Sequence, residues 1–329
     1  MAMSILLVAI ETLAIFVIVK CCIVFLVCCL LWLSGHRVYL FQRADFYLLL
    51  FVIMHLLSIF WGDLSVSNIL VQTGFLFSYV GIYLVVRLLK PNYLNLKFLW
   101  ASLIAESALY YYDITNEENN ILGSYVIGTT SVFLLTISKA SIIQKFGIFM
   151  INLLFSGGRF ALACLTCLTR KPRINIAYIV LVFFLLIVAT ELASSTAQER
   201  FLGYRTSEYI AFAIEKDSLF EWVLGEGLGR AESLRYLGTK GDIYHSGYYH
   251  NYLLTITESL GLIGGVLLCM ILPSSKAKFG DLNLRAIWIS WLVICCIEAP
   301  RDGAWPLFFI SALGANREEK REIALKSGW

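Results

Sequence analysis

The stretch HSGYYHNYLLTITESLGLIGG, residues 245–265, places two of the chain's four histidines at the head of a long apolar run. An imidazole at a water boundary is suited to general-base chemistry. His250 stands at a predicted helix start, and cationic neighbours keep such an imidazole neutral, the form a base needs. The cations are arginines: Arg159 in FSGGRFALA, Arg205 at the start of YRTSEYIAF, Arg230 after GEGLG, and Arg301 in EAPRDGAWP. Arginines gathered at a membrane rim can hold an anionic headgroup, a phosphate or pyrophosphate above all, through bidentate hydrogen bonds. The plainer reading of each is snorkelling to lipid phosphates or pairing with Glu208, Glu226 or Asp302.

Gly225, Gly227 and Gly229 alternate in GEGLGR, where a backbone must bend sharply or come close to an anion. No strand precedes them, which argues against a dinucleotide fold. Glu258 lies about 12 Å beyond His250 on a continuous helix and reads as an intramembrane carboxyl satisfied by a neighbouring helix. His250, Leu254, Thr257, Gly261 and Gly265 form one stripe of that helix, polar at its head and small below. Asp242, His245 and His250 invite a metal reading, but no second cluster completes four ligands, so no metal and no cofactor is expected.

These groups must be positioned by membrane helices. Hydrophobic residues make up 59% of the 329-residue chain and charged residues 15%, with a mean hydropathy of +0.76. That composition points to an all-α polytopic membrane protein. Apolar runs fall near 4–33, 45–60, 64–86, 96–112, 121–138, 140–156, 159–169, 174–193, 249–272, 284–299 and 304–315, about ten to twelve spans. All five prolines fall between or at the ends of these runs. The first run is too long for a cleavable signal peptide and lacks its cleavage site. The nine cysteines all lie in apolar runs and read as packing residues; Cys164 and Cys167 have no polar neighbours to make them a zinc or redox pair.

Basic residues fix the orientation. Arg37 and Arg43, Arg87 to Lys97, Lys139 and Lys145, RKPR at 170–173, Lys276 to Arg285 and the tail NREEKREIALK alternate with WGDLS and DITNEENN, which carry no Lys or Arg. The first set is expected to face the cytoplasm and the second to face outward. The net charge of +3 is then a topology signal, with no nucleic-acid patch in it. The expected organisation is an N-terminal bundle over 1–193, a large outward loop over 194–248, C-terminal helices over 249–315 and a cytoplasmic tail over 316–329. Within the loop, 204–224 reads as an amphipathic helix along the membrane surface.

Three stretches in this order resemble the superfamily of O-antigen polymerases and O-antigen ligases, membrane glycosyltransferases acting on undecaprenyl-pyrophosphate-linked sugars. FSGGRFALACL is similar to the family's serine, arginine and glycine stretch and carries over Arg159; the family often has Arg-Gly where this chain has Arg159-Phe160. RTSEYIAFAIEKDSLFEWVLGEGLG is similar to its arginine-led periplasmic helix with alternating glycines, carrying over Arg205, Gly225, Gly227 and Gly229. HNYLLTITESLGLIGG is similar to its histidine-asparagine motif ending in E-x-x-G-x-x-G, carrying over His250, Asn251, Glu258, Gly261 and Gly264. The resemblance covers roughly residues 150–265.

It implies a multi-pass protein of the bacterial inner membrane with its active site facing the periplasm. Donor and acceptor would be lipid-linked glycans within the bilayer, and a chain-length regulator protein is a further partner the resemblance allows. An acceptor hydroxyl would attack the anomeric carbon, with His250 taking its proton and Arg159 and Arg205 holding the leaving pyrophosphate; Arg230, by its place after the glycines, is a third residue expected to bind it. Polymerisation is expected ahead of ligation onto lipid A core. From another class, a lipid-linked glycan flippase or transporter would bring internal repeats and helices broken at the midplane. No repeat is visible in the sequence.

Overall fold

The computed structural model describes residues 17–62, 66–91, 218–228, 235–237, 243–245, 251–297 and 304–327, together with Ile143, Phe212 and Lys216. The spans expected at 96–112, 121–138, 159–169 and 174–193, and all but Ile143 of that at 140–156, lie outside the described residues. The described residues are mostly helical. In chain order the helices are α1 (Val17–Leu33), α2 (Arg43–Leu57, extended by a 3-10 turn over Ser58–Phe60), α3 (Val66–Leu89), α4 (Leu219–Leu224), α5 (Tyr252–Met270), α6 (Leu284–Ile297) and α7 (Trp305–Lys326).

Two antiparallel ribbons qualify the all-α expectation. Strand β1 (Arg235–Leu237) pairs with β2 (Ile243–His245), with Arg235 opposite His245. Strand β3 (Lys278–Phe279) pairs with β4 (Leu282–Asn283) across a turn at Gly280.

Helix α2 is apolar on both sides. Leu48, Phe51 and His55 point into the protein, while Phe46, Leu49, Ile53 and Leu57 stay exposed at the opposite spacing. A helix with an outward apolar face needs an apolar surrounding. Among the described residues, Arg43–Phe60 and Tyr252–Met270 are long and apolar enough to cross a membrane. One core joins α1, α2, α3, α5, α6 and α7, and at its centre Tyr79 of α3 stacks on Phe308 of α7 with ring centroids 5.3 Å apart.

The two ends of α2 meet different loops. At its start, the buried Arg87 of α3 is surrounded by acceptors. Its Nε and Nη2 donate to the two oxygens of Asp45 at 2.9 and 2.8 Å, and Nη2 also donates to the Leu40 carbonyl at 3.0 Å. Nη1 donates to Asn316 at 2.7 Å and to Glu319 at 2.9 Å. Five donor contacts match the five N–H groups of a guanidinium, which is what makes burying it tolerable. The other Glu319 oxygen accepts from the Tyr39 backbone at 2.8 Å and from Lys90 at 2.9 Å. At the same end Arg43 reaches Met270 and the Ser274 N–H donates to Glu318. Of the positively charged segments assigned to one face, those carrying Arg43, Arg87 and Lys90, the segment after α5 and the start of the tail therefore converge there.

This cluster also accounts for the length of the last helix, which does not stop where the apolar run does. Helix α7 runs through it to Lys326. Asn316 and Glu319 are held by Arg87, and the residues that follow are mostly good helix formers.

Candidate functional site at a broken helix

Asn251 opens α5 as its N-cap: the side-chain oxygen accepts from the Leu254 N–H at 3.1 Å. The asparagine of the histidine-asparagine motif thus starts the helix that carries the rest of the motif. Helix α5 begins three residues later than the expected span and is not continuous. Gly261 sits at φ 64°, ψ −167°, outside helical space, so two helical segments meet there. The break at Gly261 interrupts the predicted stripe, yet Gly265 still lies against Thr257, with 3.5 Å between a Cβ placed on Gly265 and the Thr257 hydroxyl. Glycine permits that backbone, and a Cβ on Gly261 would collide with the Val223 carbonyl.

A helix end leaves carbonyls without their usual donors. Here the glycine loop supplies them. The N–H of Glu226 donates to the Glu258 carbonyl at 2.8 Å, and that of Gly227 donates to the Ser259 carbonyl at 3.1 Å. The next N–H, of Leu228, donates to the Ser58 carbonyl at the far end of α2. Gly225 and Gly227 both have positive φ, 76° and 85°, and both lie against other glycines: Gly225 on Gly261 and Gly227 on Gly62. A Cβ on Gly225 would stand 2.5 Å from the Gly261 nitrogen. The loop therefore bends sharply and approaches backbone closely, and what it approaches is a broken helix.

The charges follow the backbone. Lys216 lies between two carboxylates, 3.2 Å from Glu226 and 3.1 Å from Glu258. All three side chains are buried. Glu258 was expected to be satisfied by a neighbouring helix; its partner is this lysine from the long loop. Lys216 also lies over the Phe212 ring at 5.3 Å, and Phe212 meets Trp222 edge to face beside Leu254 of α5.

The single amphipathic helix expected over 204–224 is interrupted. Ser218 has extended backbone and caps α4 by accepting from the Glu221 N–H at 3.2 Å. Ser-x-x-Glu is a helix-start pattern, and it was present in the sequence at 218–221. The described part of this segment docks on α5 through Phe212 and Trp222, although Leu219 and Phe220 remain exposed. Lys216 is the residue that sequence reasoning missed. Its signal was a lone cation within AFAIEKDSLF, whose counterpart is Glu258, the one acidic residue of the apolar run 249–272.

The structure thus brings together Gly225, Gly227, Glu258 and Gly261, with Asn251 at the start of the same helix and Gly264 packed on Leu260 just past the break. Arg159, Arg205, Gly229, Arg230 and His250, together with Asp242 and Arg301, lie outside the described residues. No protein-family model, curated protein or solved structure matches this chain.

Proposed function

We propose that this chain is a polytopic glycosyltransferase that joins undecaprenyl-pyrophosphate-linked oligosaccharide units, an O-antigen polymerase, at the outer face of the bacterial inner membrane. His250 is the general base, and Arg159, Arg205 and Arg230 stabilise the departing pyrophosphate. The observation that carries the reading is the interlock of LGEGLG with TESLG. Two stretches that the resemblance takes from separate parts of the chain are joined by two backbone hydrogen bonds and a buried ion pair. A donor held by the loop would then lie near the head of α5, where the acceptor must be deprotonated.

The bilayer setting is supported by the outward apolar face of α2 and by the two helices of spanning length. The orientation is supported by the convergence of the described basic segments around Arg87, while WGDLS, through Gly62, meets the glycine loop at the opposite end of α2. No step of the reaction calls for a metal or nucleotide, since the pyrophosphate linkage supplies the driving force.

A second reading draws on the break itself. A membrane-length helix interrupted at Gly261 is a feature of transporters, whose substrate sites form at such breaks. Here the carbonyls at the break are covered by the protein's own loop, which favours the enzyme. Deletion of the gene and a lipopolysaccharide gel separate the readings. Loss of a polymerase leaves lipid A core bearing one repeat unit. Loss of a ligase leaves bare core with lipid-linked chains accumulating. Loss of a flippase leaves bare core with single lipid-linked units held on the cytoplasmic side.

A further inference from the structure

The seam between α2 and α5 ends at a cation. The two helices pack antiparallel: Arg43 meets Met270 at one end, and at the other the glycine loop donates to the carbonyls of both Ser58 and Ser259. On the flank of α2 that Arg43 occupies, Tyr47 and Leu50 are half-buried, and on α5 Met270 continues a half-buried line through Leu267 and Ile263. Beside these lines Phe46 and Ile53 of α2, and Leu262 and Val266 of α5, are exposed. Half-buried lines that face each other, with exposed apolar residues outside them, make a furrow along the seam.

The depth of its cationic end follows from helix length. Arg43–Phe60 is 18 residues long, about 27 Å at a rise of about 1.5 Å per residue, close to the hydrocarbon thickness of about 30 Å. With Phe60 at one boundary, Arg43 stands at headgroup level on the other. It is exposed, and its contacts are the Met270 sulfur, 3.2 Å from Nη2, and the Tyr47 ring, 5.3 Å away. A thioether is a weak acceptor and a ring face brings no oxygen. Among the described residues no carboxylate neutralises Arg43, in contrast to Arg87 at the same end, which is paired with Asp45 and Glu319.

We propose that this furrow binds one anionic phospholipid, its phosphate on Arg43 and one acyl chain between α2 and α5. An apolar seam open to hydrocarbon suits an acyl chain. A phospholipid carries a phosphate directly above its chains, where the planar donors of a guanidinium can take two oxygens at once. On the segment that follows α5, exposed Lys276, Lys278 and Arg285 outnumber Asp281. That positive rim favours a headgroup of net negative charge over a zwitterionic one. The site requires the bilayer setting and is independent of the glycosyltransferase reading.

The full-length protein in detergent is equilibrated with equal amounts of phosphatidylglycerol and phosphatidylethanolamine of matched chains, and bound lipid is counted by native mass spectrometry. Wild type should retain a single phosphatidylglycerol in about fivefold preference. Arg43→Gln should lose the preference. Arg43→Lys, which keeps the charge and loses the donor pair, should fall between. Lys326→Gln, at the end of α7, should behave as wild type. Val266→Trp narrows the furrow from its exposed bank and should lower occupancy by either lipid. Equal preference in wild type and both Arg43 variants would overturn the headgroup site, and full occupancy in Val266→Trp would overturn the place of the chain. A lipid-free dimer of wild type would give the furrow to a second copy of the protein and overturn both.

Discussion

The Glu226 N–H donates to the Glu258 carbonyl at 2.8 Å, and the same two residues share Lys216 through their side chains. Loop and helix are therefore joined twice at one point, by backbone and by charge. Among the described residues, one lysine faces two carboxylates there. Replacing Lys216 with Met removes the cation beside the buried Glu258 carboxylate, a change expected to cost about 3–5 kcal/mol. Adding Glu258→Gln should recover part of that loss. Thermal unfolding in detergent provides the check, and a double variant no more stable than Lys216→Met would show that the two groups are not coupled.

Gly261 and Gly225 cannot accept a side chain. At positive φ, alanine carries strain of about 1–3 kcal/mol before any collision. Its Cβ would also strike the opposing backbone in either variant. Gly261→Ala and Gly225→Ala should each detach the loop, seen as new protease cleavage near 217–230 with the helices intact. Gly280→Ala is the control, since its surroundings are open although its φ is also positive. Equal protease resistance in all three variants would mean that the glycine crossing does not hold the loop.

The Arg87 cluster predicts an acid limit to stability. Burial alone would raise the Glu319 carboxyl. Hydrogen bonds from Lys90 and the Tyr39 backbone, with the charges of Arg87 and Lys90, outweigh that and hold it below its ordinary value of 4.5. A carboxyl lowered in the folded state contributes its full stability above the unfolded value and loses it as pH falls through the folded one. The melting temperature should therefore fall as pH drops below about 4.5. Glu319→Gln should be less stable at neutral pH and should show a shallower acid slope. An unchanged slope would assign the acid sensitivity to other groups.

Much of the bundle could be read from apolar runs and their punctuation. The limits of α2 and α6, and the convergence of the basic segments at one end, follow from where water-loving side chains can sit. The break at Gly261 could not be read in this way. A glycine in an apolar run is tolerated within a helix as readily as at its end, and the donors that satisfy the break come from a segment more than thirty residues upstream. Lys216 and Glu258 pair across a still longer stretch of sequence, so neither residue's local sequence points to the other. Ser218 was different, since its helix-start pattern was local and was obscured by the apolar period running across it. Helix α7 continues past Ala315 for a physical reason too: charged residues can end an apolar run without ending a helix.

The arginines are tested by geometry of donors. If Arg159 and Arg205 grip a pyrophosphate, lysine should not replace either, because it keeps the charge and loses the planar pair of donors. Arg301→Lys should remain active. O-antigen ladders from the three variants at matched protein levels provide the comparison. Full ladders from both Arg159→Lys and Arg205→Lys would reduce these residues to a general positive field.

The central claim is a chemical one, that this chain moves a glycan from a lipid pyrophosphate with His250 as base. The direct measurement reconstitutes the purified protein in proteoliposomes with a lipid-linked repeat unit, then follows chain length and free undecaprenyl pyrophosphate together. Wild type should lengthen chains and release one lipid pyrophosphate for each linkage formed. His250→Ala should slow both by about 10²- to 10⁴-fold while inserting normally. Chain growth by His250→Ala at the wild-type rate, or wild-type protein that neither lengthens chains nor releases lipid pyrophosphate, would contradict the account.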